Sequence, residues 1–61
     1  MAIETRVAQK EKLYALLAVR KAYEDAGIEI LQELKSQIRQ TIAVMEAEDV
    51  AYVREQLQQV D

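Results

Sequence analysis

Apolar residues recur along this chain at helical spacing, in three groups. Leu31, Leu34, Ile38, Ile42 and Met45 are three or four residues apart, which places them on one face of an α-helix. Val50, Val53, Leu57 and Val60 repeat the pattern, turned about a quarter turn from the first stripe at roughly 100° per residue. The earliest group differs, because residues 13–19, LYALLAV, are apolar without interruption. Projected on a helix, the segment around them has two apolar faces. Ile3, Val7, Tyr14, Leu17 and Ala18 share one. Ala8, Ala15, Leu16, Val19, Ala22, Tyr23 and Ala26 share the other, and the two merge within LYALLAV.

Pro is absent and Gly occurs once, at Gly27. Ala, Leu, Glu, Gln, Lys and Arg dominate, all strong helix formers. The pattern predicts an all-α helical hairpin in a single domain, 1–61. Helix 1 covers about 3–26, the turn falls at Gly27, and helix 2 covers about 28–60. Gly27 suits the left-handed position just past a helix end, with Ile28 folding back onto Tyr23. Glu29 and Glu33 suit the first turn of the second helix. A single helix through Gly27 would need a sustained heptad repeat, and Lys10 and Arg20 interrupt every register. Glu46-Ala47-Glu48-Asp49 separates the two later stripes. No Gly or Pro forces a break there, so the expectation is a continuous or kinked helix 2. The alternative is a short third helix capped by Asp49 and opened by Val50.

A helix apolar all round is buried all round, and one partner helix covers one face. The lengths also differ: about 36 Å for helix 1 and about 50 Å for an unbroken helix 2. The Val50-Val53-Leu57-Val60 stripe would then overhang. Both features point to a homodimer, a four-helix bundle made of two hairpins. In that arrangement Val7, Tyr14, Leu17, Val50, Val53, Leu57 and Val60 form the interface. Leu16, sharing its face with Val19 and Tyr23, lines the hairpin core. The competing arrangement is a three-helix monomer whose third helix covers LYALLAV.

Composition narrows the chemistry. The chain has 61 residues, no Cys and no His, so it has no disulfide, no thiolate metal site and no conventional catalytic triad. Oligomerisation is the stabilising device left to so small a fold. Glu29 and Glu33 lack the His that would complete a di-iron site. Glu46, Glu48 and Asp49 lack the Gly and the ligand spacing of a calcium loop. The expectation is therefore no enzyme, no metal and no cofactor. Met1–Glu11 has no apolar signal segment, and LYALLAV is too short to span a bilayer, so a cytoplasmic protein with no membrane partner is expected.

Lys10, Lys12, Arg20, Lys21, Lys35 and Arg39 have the charge to contact phosphates. The net charge is −3, however, and Arg20–Glu24 and Lys21–Asp25 are spaced to pair along one helix, so nucleic acid is not the expected partner. Ser36-Gln37 is followed by Ile38-Arg39-Gln40, without the acid that the short sporulation phosphatases carry in their Ser-Gln-Glu-Leu-Asp motif. The function these observations favour is a small protein-interaction module, an adaptor, inhibitor or assembly factor working through helix contacts as a homodimer. The alternatives are a regulator that binds structured nucleic acid through helix 1 and a structural subunit of a larger helical assembly.

Overall fold

The structure, a computed structural model, describes residues 3–59, the side chain of Ile3 apart. Among these residues there are three helices and no strand: α1 (Ile3–Asp25), α2 (Gln32–Ala43) and α3 (Ala47–Gln58). The first helix ends as its sequence predicts. Gly27 has φ 72°. Its N–H donates to the Glu24 carbonyl at 3.1 Å, and the Ile28 N–H reaches back to Tyr23 at 2.9 Å. This pair of bonds is the Schellman arrangement, which satisfies carbonyls that the helix end would otherwise orphan.

The next helix starts at Gln32 rather than at 28. Residues 28–31 hold no Ser, Thr, Asp or Asn that would cap a helix start. Leu31 is extended, and its carbonyl accepts the first helical bond from Lys35 at 3.2 Å. Glu33 lies in the first turn of α2, but Glu29 lies outside it, so the two carboxylates do not share a helix face.

The continuous helix over 28–60 is corrected by the structure. The chain leaves the helix after Ala43 and re-enters at Ala47. The Thr41 hydroxyl donates to the Gln37 carbonyl at 2.8 Å, a back-bond that weakens a helix locally. Val44 and Met45 donate to Thr41 and Ile42 in a tightened last turn. Glu46 is extended, and its carbonyl opens α3 by accepting from Asp49 and Val50. Asp49 is therefore not the cap; it sits within the first turn.

Tertiary packing selects the break. Reversing here lays Val50 and Val53 on Leu13 and Leu17, whereas a straight helix would carry them past the end of α1. Burying a Val or Leu side chain stabilises by about 1.5–3 kcal/mol. A backbone hydrogen bond contributes a net of about 0.5–1.5 kcal/mol, and several are remade at the bend.

Side-chain register gives the topology. Arg6 meets Asp49, Lys10 lies over Tyr52, and Leu17 shares a hollow with Leu57, so α3 runs alongside α1 in the same direction. Val19 and Tyr23 meet Leu31 and Leu34, so α2 runs the opposite way. Both α2 and α3 pack on α1, and their backbones approach each other little, although Ile38 of α2 shares a core with Val50 and Val53 of α3. The core is Leu13, Leu17, Ile38, Val50 and Val53. LYALLAV is thus covered from two sides within one chain. Leu13 and Leu17 are 0% and 2% exposed, while Leu16 is only half-buried. Leu17 is thus the more deeply buried of the two, and Leu16 packs against the edge of the same core. The fold also places Leu17, Val50 and Val53, expected at a subunit interface, inside the chain's own core.

Candidate interaction groove

Two surfaces of α1 receive α2 and α3, and a groove remains between the latter two. Three hollows follow one another along it. Nearest the bend, a hollow of about 390 Å³ is lined by Ile42, Met45, Ala47, Val50, Ala51 and Arg54. Ile42 continues into the next, of about 260 Å³, with Arg20, Lys35, Ile38 and Arg39. Arg20 continues into the third, of about 340 Å³, which includes Leu17, Lys21, Glu24, Asp25 and Leu57. Ile42 borders the first two hollows and Arg20 the second and third, so the three lie in succession along one side of the molecule.

Helical periodicity builds its walls. On α3, Ala47, Val50, Arg54 and Leu57 recur at three and four residues and so face the same way. On α2, Lys35, Ile38, Arg39 and Ile42 do likewise. The floor is apolar, from Ile38, Ile42, Val50, Leu17 and Leu57, and the rim is largely basic. Arg20 pairs with Glu24 at 3.4 Å and Lys21 with Asp25 at 3.6 Å, as the spacing predicts. Among the described residues, Lys35, Arg39 and Arg54 have no carboxylate within 4 Å.

On the opposite flank, the first half of α1 is bridged to α3 by charged side chains, beside a hollow of about 290 Å³ lined by Lys10, Glu11, Tyr14, Tyr52, Val53 and Gln56. Arg6 donates through Nε to Asp49 Oδ2 and through Nη2 to Asp49 Oδ1, both at 2.9 Å, and through Nη2 to Glu48 at 3.0 Å. The Asp49 residue is 6% exposed. The hydrogen bonds from Arg6 hold its carboxyl below the ordinary carboxylate range, against the opposing effect of burial. The same contacts hold the Arg6 guanidinium above its ordinary value. Lys10 adds a cation–π contact, its Nζ 5.2 Å from the Tyr52 ring centre. No buried side-chain polar atom among the described residues lacks a partner. The sequence carries no local sign of Arg6–Asp49, because 43 residues separate its members.

The expected interface residues are dispersed. Leu17, Val50 and Val53 are core. Leu57 is half-buried and stands in the groove. Tyr14 is half-buried on the α1–α3 flank beside exposed Tyr52, and Val7 is exposed near the start of α1. Val60 lies outside the described residues. Of the six cations read as possible phosphate contacts, the fold gathers Arg20, Lys35 and Arg39 around one hollow; Arg54, not singled out by sequence, joins them on the rim.

A second apolar area lies at the turn end, where Val19, Ile28 and Leu31 are 43%, 56% and 60% exposed. Val19, Tyr23, Leu31 and Leu34 line a smaller hollow of about 180 Å³ there. No group of three metal-ligating side chains occurs among the described residues, and none of their helices is long and apolar enough to cross a membrane. Comparison of the chain with protein-family models, with curated proteins and with solved structures gives no match.

Proposed function

We propose that this chain is a small non-enzymatic interaction module that receives a helix of a partner protein in the groove between α2 and α3. The observation that carries this reading is that α2 and α3 both pack on α1 with their backbones apart, which leaves half-buried Ile42 and Leu57 facing the hollows between them. A helix that fills such a trough buries apolar residues at i, i+3, i+4 and i+7, the usual mode of helix-in-groove recognition. The absence of His and Cys from the sequence supports a binding role over catalysis.

Homodimerisation is the second reading, and the outer face of α1 supports it. Ala8, Ala15, Val19 and Ala22 are all exposed there, and the small alanine side chains permit close helix approach. Ile28 and Leu31 extend that apolar surface at the turn end.

A photo-crosslinking residue placed at Arg39, in the groove, or at Ala15, on the outer face, separates the two readings in the full chain. Adducts with another protein at Arg39 but not at Ala15 are expected. Adducts with a second copy at Ala15 alone would replace the groove reading with the dimer. No adduct at Arg39 would overturn it.

A further inference from the structure

We infer that the groove's occupant is an acidic amphipathic helix from a partner protein, an inference that rests on the groove reading above. Charge complementarity carries it. The chain as a whole is acidic, with eleven acids against eight bases. Its groove rim is nevertheless basic, and three of the rim cations lack acidic partners among the described residues. Lys35 and Arg39 stand one helical turn apart on α2, a spacing at which like charges repel. Arg20 faces them across the same hollow. The fold meets the opposite need elsewhere, since Arg6 is saturated by two carboxylates. Glu33, the acid of the first turn of α2, lines the hollow on that helix's other flank. Cations are thus concentrated beside the apolar floor, and the acids that line the groove, Glu24 and Asp25, are at its far end, where Arg20 and Lys21 pair with them.

The floor argues for a helix rather than a nucleic acid. Phosphates bound beside Lys35 and Arg39 would sit over Ile38 and Ile42, which offer them no hydrogen bond. Bases of a single strand stack on aromatic rings. All three tyrosines lie outside the groove, Tyr14 and Tyr52 on the α1–α3 flank and Tyr23 beside Leu31. An amphipathic helix with Leu or Ile toward the floor and Glu or Asp along both edges satisfies floor and rim together.

The test uses the full chain and two labelled synthetic helices that share one leucine face, one edged with Glu and the other with Lys. Fluorescence anisotropy should show the Glu-edged peptide binding at least about tenfold more tightly, a preference that weakens as salt rises. The double variant Lys35→Glu/Arg39→Glu should invert the preference. If circular dichroism shows that variant unfolded, Lys35→Gln/Arg39→Gln should abolish the preference instead. Equal binding of both peptides would leave the groove as a helix site and overturn its acidic occupant. Binding of neither would overturn the groove reading along with it. Competition by a hairpin RNA, dependent on Lys35 and Arg39, would overturn the inference in favour of a phosphate ligand.

Discussion

At one flank of α1, Arg6 meets Asp49 and Glu48, Lys10 lies over Tyr52, and Val50 and Val53 close on Leu13 and Leu17. In the trough between α2 and α3, Lys35, Arg39 and Arg54 meet no carboxylate among the described residues, and Ile42 is only half-buried. The residue types are alike, charged side chains flanking aliphatic ones, yet one surface is satisfied from within the chain and the other is not. A seam of the first kind holds a small fold together. The charged rim of the second contributes little to the fold and leaves its groups available to a partner. The contrast therefore predicts that substitutions in the seam cost stability, whereas those on the groove rim leave it intact.

The largest effect should come from the residues that the seam buries. Leu13 is wholly buried, and Leu13→Ala should cost about 2–5 kcal/mol through lost burial and the cavity left behind. In a domain of this size that is enough to abolish the thermal transition seen by circular dichroism. A variant that melts like the parent would remove the distinction between the two surfaces.

Asp49→Asn ranks next. The substituted amide keeps one acceptor but turns an NH₂ group toward the guanidinium, so the bidentate geometry fails. The melting temperature should fall near neutral pH, and the size of the fall should depend on pH. The Asp49 carboxyl is held below its unfolded value, which is near 3.9. Its contribution is therefore fully present above about pH 4 and is lost as pH drops through the lower folded value. The gap between parent and variant should shrink on acidification; a gap that does not change with pH would mean that the pair does not hold the seam.

Much of this fold is legible in the residue pattern. The bounds of α1, the left-handed Gly27, the stripe Leu34-Ile38-Ile42 and the two i, i+4 ion pairs follow from local rules that act within a turn or two. The break at residues 44–46 is not legible, because it involves no Gly or Pro. It is selected by Val50 and Val53 joining Leu13 and Leu17 in one core, across 33 to 40 residues of sequence. The Arg6–Asp49 pair is hidden for the same reason, and in sequence Asp49 is one more member of an acidic run. LYALLAV implies two buried faces, but periodicity alone does not say whether the second cover is another subunit or the chain's own third helix. The groove depends on how α2 and α3 sit relative to each other, and no residue pattern encodes that directly.

Gly27→Ala tests the end of the molecule from which α2 is launched. A Cβ on Gly27 meets nothing within 4 Å, so any cost comes from the backbone, which holds φ at 72°. A left-handed conformation costs an L-residue about 1–2 kcal/mol, and the melting temperature should fall by less than it does for Leu13→Ala. The Arg6–Asp49 seam is remote from this turn, so the pH dependence described above should persist. Its loss would show that the two flanks are coupled rather than independent.

The smallest effect should have the opposite sign. Lys35 and Arg39 lie one turn apart on α2, where like charges destabilise a helix by about 0.2–0.5 kcal/mol. Neither has a carboxylate within 4 Å among the described residues, so neutralising one of them breaks no ion pair. Gln keeps a long side chain and a similar helix propensity. Arg39→Gln should therefore leave the melting temperature unchanged or raise it slightly, and added salt should narrow the difference by screening the repulsion that the parent retains. A clear loss of stability would mean that Arg39 is already engaged within the chain. The groove rim would then be structural, and the two surfaces would differ in degree rather than in kind.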